Sequence, residues 1–230
     1  MKILGIEGST NAAGVAVLRD GELAARVDLD GEAVLCRRLA LAAQEAAAGA
    51  GLCLRDLDAV AVGRGPGSYT GLRIAMATAK GIAMAWALPF KAVSSLEACA
   101  AGAPSSGLTC AVLPSYGGML FAAAFRCVGD EPETIFEESL VNPQELAARL
   151  RDFKQPIMLT GIAPDGATAA LLAVLGDSAQ ILIPRPPAAE SVARLAAPKL
   201  AREGPDDLLT SAPVYLRPSY AEVRGARDVT

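Results

Sequence analysis

The chain has 230 residues, of which 52% are hydrophobic and 20% are charged, a balance typical of a folded protein with one or two domains. It contains no histidine, which excludes histidine-activated serine or cysteine nucleophiles and histidine-ligated metal centres. A formal charge of -4 does not favour a broad phosphate-binding surface, so we expect any contact with RNA to depend on another protein.

The sequence gives no sign of a membrane segment, a metal site or a cofactor. Glu7 interrupts the first apolar run, which is unlike a secretion signal, and the long apolar stretch 71–88 carries Arg73 and Lys80. The five cysteines are scattered without a C-x-x-C pair, which is typical of reduced packing residues. We therefore expect a cytoplasmic protein that binds no metal and no cofactor.

The first hundred residues predict five strands and three helices. Short apolar runs favour strands, apolar residues at helical spacing favour helices, and the Asp-Gly pair at 20–21 predicts a tight hairpin turn. The expected strands are 2–7, 14–18, 22–28, 59–62 and 90–93, and the expected helices are 32–48, 70–87 and 94–101.

A run rich in Pro, Ser and Gly at 103–107 predicts a boundary between two halves. Strands are expected beyond it at 108–113, 119–128 and 134–140, then a helix at 142–153 with Asn142 as N-cap and Pro143 at its first position. Alternating elements continue to Leu216. This order predicts an α/β protein of two similar halves, 1–104 and 105–217, with a tail at 218–230 that lacks periodicity.

A glycine-rich loop, Gly63-Arg-Gly-Pro-Gly-Ser-Tyr-Thr-Gly71, joins a buried strand to the second helix. Its backbone amides could cradle a phosphate. The alternative is a sharp structural turn with Thr70 as the helix N-cap, because no lysine follows as in a P-loop. The candidate phosphate-binding residues are Gly65, Gly67, Ser68, Thr70 and Gly71.

The second helix is apolar on almost every side, so it needs cover on two faces. Two apolar stripes run along it: one is Leu72, Met76, Ala79, Ala83 and Trp86, and the other is Ile74, Ala77, Gly81, Ala85 and Leu88. One side can pack on the sheet, and the other needs a second cover. A second face combines small, flexible and basic residues at spacings i, i+4, i+7 and i+11, and comprises Arg73, Ala77, Lys80 and Met84.

The first helix also has two apolar lines. One is the expected inward stripe of Leu35, Leu39, Ala42 and Ala46. The other consists of Val34, Leu41 and Ala48, and Arg37 and Arg38 lie beside it. An apolar line with a charged rim is typical of an interface, although isolated apolar residues are also ordinary on a surface. Patterning alone leaves both interpretations open.

The string GRGPGSYTGLRIAMATAKG at 63–81, followed by Val93-Ser-Ser-Leu-Glu97, closely resembles the TsaB family, also called YeaZ. Ser9-Thr10 after the first strand and Tyr215-Leu216-Arg217 near the end extend the resemblance over most of the chain. The resemblance implies a two-lobed actin-like ATPase fold, with RNase-H-like lobes built from mixed sheets and flanking helices.

The resemblance also implies a function without catalysis. In that family the TsaB subunit holds TsaD, which transfers threonylcarbamoyl to the adenosine beside the anticodon of tRNA, and the ATPase TsaE joins the two. The free subunit can also pair with itself, and tRNA is reached only through the complex. The family's partner contact is a bundle of the first two helices, which makes the candidate interface Val34, Arg37, Arg38, Leu41, Arg73, Ala77, Lys80 and Met84.

Departures from the family pattern mark a divergent member. Glu7-Gly-Ser-Thr10 replaces the usual Asp-Thr-Ser-Thr, and the usual His-Ser before the first helix is replaced around Ala33. In the second half, Leu113-Pro-Ser-Tyr-Gly-Gly118 stands where an Asp-Ala-Arg-like segment is usual.

Two enzymatic alternatives remain open. An actin-like nucleotide enzyme would use Glu7 to orient water or metal and the 63–71 loop to hold phosphates. The simpler interpretation of Glu7 is a solvated strand end. A peptidase would need Ser68 or Ser115 as nucleophile with Lys80 as base, and the spacing of these residues gives that idea no specific support.

Overall fold

The computed structural model describes residues 1–103, 107–128, 131–182 and 185–216. The expected tail at 218–230 and the expected boundary at 104/105 lie outside the described residues. Two five-stranded mixed sheets dominate the fold, and each belongs to one half of the chain.

The first half forms one sheet and three helices, close to the sequence prediction. The strand order is β3-β2-β1-β4-β5, with β1, β2 and β3 antiparallel and with β4 and β5 parallel to β1. Positive φ angles at Asp20 and Gly21 turn β2 into β3, as the Asp-Gly pair predicts. The elements are β1 (Lys2–Glu7), β2 (Ala12–Arg19), β3 (Glu22–Asp30), α1 (Glu32–Gly49), β4 (Ala59–Gly63), α2 (Tyr69–Trp86), β5 (Phe90–Val93) and α3 (Ser95–Ala101).

The second half repeats the strand order of the first, as β8-β7-β6-β9-β10. Again three antiparallel strands are extended by two parallel ones. Asn142 caps α4 through a hydrogen bond from the Glu145 amide, which confirms the predicted N-cap. The elements are β6 (Leu108–Pro114), β7 (Leu120–Val128), β8 (Glu131–Val141), α4 (Pro143–Arg151), β9 (Ile157–Gly161), α5 (Asp165–Leu175), β10 (Ala179–Leu182) and α6 (Ala189–Glu203).

Each half contributes a helix that packs on the sheet of the other half. Helices α1 and α2 pack side by side on one face of the first sheet, and α6 covers the opposite face although it follows the second sheet in sequence. In return, Leu96 and Cys99 of α3 pack on the second sheet, against Leu113 and Phe121. Each sheet is therefore covered partly by its own half and partly by the other, and the two lobes share buried surface.

Residues 205–216, called here the C-terminal segment, return from α6 to the first half. The Asp206 amide donates to the Phe90 carbonyl at 2.8 Å, and the Ala92 amide donates to the Asp206 carboxylate at 2.8 Å. Lys91, which is almost fully buried, forms ion pairs at 2.9 Å with both Asp206 and Glu203. The segment thus covers the open edge of β5, a position where an unpaired strand would attract other chains.

Two smaller expectations about the chain are refined. Cys99, Cys110 and Cys127 are buried, whereas Cys36 and Cys53 are exposed. None of the helices in the described ranges is long and apolar enough to cross a membrane.

Candidate functional site: the glycine-rich loop and the outer face of two helices

The amides of the glycine-rich loop are largely satisfied within the chain. The Ser68 amide donates to the Ser9 carbonyl at 2.7 Å, and the Gly65 amide donates to the Ser95 hydroxyl at 3.2 Å. The N-cap of α2 is Ser68, whose hydroxyl accepts from the Gly71 amide at 3.1 Å, so the prediction of Thr70 as N-cap was wrong. Thr70 instead lies exposed in the first turn.

Close backbone contacts account for the glycines of this loop. A Cβ on Gly67 would lie 2.3 Å from the Ser9 carbonyl oxygen, and one on Gly71 would lie 2.1 Å from the Gly8 carbonyl oxygen. Gly65 has a φ of 97°, and a Cβ placed on it would lie 2.7 Å from the side chain of Leu72. The loop is therefore pressed against the turn that follows β1, and steric fit alone requires small residues here.

Glu7 is fully buried, which corrects the interpretation of this residue as a solvated strand end. One carboxylate oxygen accepts from the amides of Gly8 and Ser9 at 2.8 and 2.6 Å, and the other accepts from the Ser95 hydroxyl at 2.9 Å. A Cβ on Gly63 would lie 2.1 Å from that second oxygen. Burial raises the pKa of the Glu7 carboxyl, and these hydrogen bonds oppose the rise.

Glu7 therefore joins three parts of the first half: the end of β1, the start of the glycine-rich loop and the start of α3. Both of its oxygens are already used by neighbouring groups. In an actin-like nucleotide enzyme the acidic residue at this place would face water or metal, whereas here it is enclosed by backbone and a serine.

The pairing required for a peptidase is not brought together. Ser68 caps the start of α2 and Lys80 lies twelve residues further along it, about 18 Å away along the helix axis at the usual rise per residue. The Lys80 ammonium donates to the carbonyl of Ser211 in the C-terminal segment. Ser115 lies in the turn between β6 and β7, in the other half of the chain.

The outer face of α1 follows the predicted pattern. The four residues of the expected inward stripe are all buried, whereas Val34 and Leu41 are exposed. Arg37 and Arg38 lie exposed beside them. Arg38 forms an ion pair with Glu45 at 2.9 Å, and Arg37 has no carboxylate within ion-pair distance among the described residues.

The outer face of α2 is exposed over most of its length, and the C-terminal segment contacts it at Arg73 and Lys80. Arg73, Ala77 and Met84 are exposed, with Met84 at 63%, and Lys80 is half-buried. Of the first apolar stripe, Leu72, Met76, Ala79 and Ala83 are buried, whereas Trp86 is 47% exposed. Trp86 is the last residue of the helix.

Gly81 belongs to the second apolar stripe predicted for α2, but it is not among the candidate interface residues taken from the sequence. It is exposed on α2 between Ala77 and Ala85, which are also exposed, and a Cβ placed on Gly81 would meet nothing within 4 Å. A glycine in the middle of a helix costs stability relative to alanine, and no contact with the described residues requires a glycine here. The available signal was the i, i+4, i+8 spacing of small residues.

Because α1 and α2 pack side by side, their outer faces together present exposed apolar and small residues on one side of the first lobe. Arginine and lysine side chains surround them. This arrangement has the anatomy of a protein–protein interface, with an apolar centre and a polar rim.

The duplicated sheet order, with two antiparallel additions on one side of β1 and two parallel additions on the other, defines a two-lobed protein of the actin-like ATPase fold. A family model described as TsaD, tRNA N6-adenosine threonylcarbamoyltransferase, matches residues 36–221. The tRNA threonylcarbamoyladenosine biosynthesis protein TsaB of Escherichia coli is 31% identical over 96% of this chain and 96% of its own length.

Two further comparisons agree. The TsaB protein of Bacillus subtilis is 28% identical over 70% of this chain and 71% of its own length. The structure of YeaZ from Pseudomonas aeruginosa superposes with a TM-score of 0.79 and 24% identity, over 93% of this chain and all of that one. The chain belongs to the TsaB (YeaZ) family, which the resemblance at 63–81 indicated, and its fold is the one that this resemblance implies.

Proposed function

We propose that this chain is a non-catalytic scaffold subunit in the synthesis of threonylcarbamoyladenosine in tRNA, and that it acts by binding a TsaD-type transferase. The relatives named above are biosynthesis proteins for this modification, and the transferase's own family model matches this chain. Two proteins of one fold can associate through equivalent faces in a pseudo-symmetric pair.

The observation that carries the proposal is the uncovered outer face of α1 and α2. Met84, Leu41 and Val34 remain exposed, and the small residues Ala77 and Gly81 lie between the bulkier ones. Small residues allow two helices to approach closely, and a flexible methionine adapts to a partner groove. A helix pair from the transferase packed here would complete a four-helix bundle.

The second candidate function, an actin-like nucleotide enzyme, has weaker support. Its acidic residue would be Glu7 and its phosphate loop would be 63–71. Glu7 already accepts three hydrogen bonds from the chain. Three amides of the loop, those of Ser68, Gly65 and Gly71, already donate hydrogen bonds to Ser9, Ser95 and Ser68. A phosphate held by those three amides would have to displace these bonds, so we propose that the loop mainly stabilises the lobe.

The test is a calorimetric titration of the chain with the TsaD-type transferase from the same organism. We expect Ala77→Glu and Met84→Asp to weaken binding by about 2 kcal/mol or more, as at central interface positions, with little change in the melting of the free chain. Ala169→Glu, at an exposed position of α5 in the second lobe, is the matched control, and it should leave binding unchanged.

Two results would contradict the proposal. If Ala77→Glu and Met84→Asp unfold the isolated chain, the face is internal core and not an interface. If both variants fold and bind the transferase as tightly as the parent chain, the contact lies elsewhere. Association with a TsaE-type ATPase, pairing of the free chain with itself and recruitment of tRNA through the complex remain predictions that the same titrations can examine with the relevant protein or RNA.

A further inference from the structure

Tyr69, Arg73 and Tyr215 form a stack on the surface at the beginning of α2. The guanidinium carbon of Arg73 lies 4.0 Å from the ring centroid of Tyr69 and 5.9 Å from that of Tyr215. The Arg73 Nε–H donates to the Tyr215 hydroxyl at 3.0 Å, and the two ring centroids are 5.0 Å apart. All three side chains are exposed, so the stack faces outward.

The stack is held in place from the C-terminal side. The Val214 amide donates to the Arg64 carbonyl at 2.8 Å, and Lys80 donates to the Ser211 carbonyl, so the backbone on the N-terminal side of Tyr215 is fixed to the first lobe. Leu216 packs against the core on the second sheet. Tyr215 is therefore anchored on both sides, and the arginine it contacts has little side-chain freedom left to lose on binding a partner.

The charge of Arg73 is not matched within the chain. No carboxylate among the described residues lies within ion-pair distance of it, although the protein is acidic overall. Arg149 in the second lobe is a contrast: its guanidinium lies 5.2 Å from the ring centroid of Phe136, and it also has an ion-pair partner in Glu145. An arginine held in a fixed orientation presents a planar fork that fits the two oxygens of a carboxylate.

The position of the stack indicates the class of partner. Arg73 lies one helical turn before Ala77, at the edge of the apolar face described above. Tyrosine and arginine are among the residue types most enriched at the energetically important positions of protein–protein interfaces. A nucleic-acid phosphate would require a dense cluster of cations, which the acidic balance of the chain does not favour.

We propose that Tyr69, Arg73 and Tyr215 form a preorganised receptor for a carboxylate side chain of the transferase, so that the C-terminal segment is part of the partner surface. This inference rests on the proposed function, because it names one contact of the same interface. It adds one chemical requirement, which is an acidic residue of the partner opposite the start of α2. It also gives Tyr215 the role of positioning Arg73.

The experiment is titration of the full-length chain with the TsaD-type transferase at low and high salt. We expect Arg73→Gln to weaken binding about tenfold at low salt and to reduce the salt dependence of the affinity. Arg73→Lys should recover only part of the loss, since it keeps the charge but not the fork. Tyr215→Phe, which keeps the ring and removes the hydroxyl, should weaken binding a few-fold, and Arg149→Gln is the control expected to bind like the parent chain.

The outcomes separate the two ideas. If the parent chain does not bind the transferase at all, the proposed function fails and this inference fails with it. If the parent chain binds but Arg73→Gln binds equally well at both salt concentrations, the receptor is refuted while the scaffold function stands. If Arg73→Gln leaves transferase binding intact and instead weakens binding of the isolated chain to tRNA, the anion is a phosphate and the inference is overturned.

Discussion

Substitution of Gly81 by alanine should make the free protein more stable. Gly81 lies in the interior of α2, and the added Cβ would meet nothing within 4 Å, so only the conformational cost of glycine in a helix is removed. That cost is about 0.8–1.0 kcal/mol, which corresponds to a rise in melting temperature of roughly 2–4 °C for a chain of this size. Thermal unfolding followed by circular dichroism measures it.

The same position should respond in the opposite way to the partner. Gly81→Leu places a large side chain on the outer face, where a partner helix would approach, while the free chain keeps open space around it. We expect at least a tenfold loss of affinity for the TsaD-type transferase, or about 1.4 kcal/mol, without a fall in the melting temperature of the free chain.

Gly63→Ala provides the contrast, because its Cβ would lie 2.1 Å from a Glu7 oxygen, and it should destabilise the free chain by about 1–3 kcal/mol. A lower melting temperature for Gly81→Ala would show that the face is covered within the chain, which contradicts the structural argument. Unchanged affinity for Gly81→Leu would place the partner contact away from this part of α2.

Three further predictions concern chemistry and charge. Because folding raises the pKa of Glu7, the folded chain binds this proton more tightly than the unfolded chain does. The free energy of unfolding of the parent relative to Glu7→Gln should therefore fall as the pH rises from about 4.5, and it should level off above the raised pKa. A difference in unfolding free energy that stays constant between about pH 4 and 8 would contradict this. The purified chain should hydrolyse neither ATP nor peptides, since Glu7 and three amides of the glycine-rich loop are already hydrogen-bonded within the chain. Metal-dependent ATP turnover that is lost in Glu7→Ala but survives repurification would show an enzyme. The chain alone should bind tRNA weakly at physiological salt because it is acidic overall, and a nanomolar gel-shift affinity would be the contrary result.

Most elements of the fold could be predicted from local patterns. The hairpin turn at Asp20 and Gly21, the cap at Asn142 and the inward stripe of α1 each depend on residues a few positions apart. The predicted N-cap of α2 was wrong because local signals competed, since both Ser68 and Thr70 can cap a helix. Trp86 fits the periodicity of an apolar stripe, yet it is exposed at the end of the helix. Turns, caps and periodic stripes depend on residues that are close together in sequence, so local patterns can predict them.

The sequence by itself determined the α/β class, the two similar halves, the family through the string at 63–81, and the two helices whose outer faces could bind a partner. Only the tertiary structure decided that Glu7 is enclosed, since its environment combines the turn after β1 with Gly63 and Ser95. It also decided that α6 covers the first sheet and that Tyr215 meets Arg73 across 142 positions of the chain. Contacts of this kind follow from the packing of whole lobes, and no periodicity or motif in one segment encodes where a distant segment will lie.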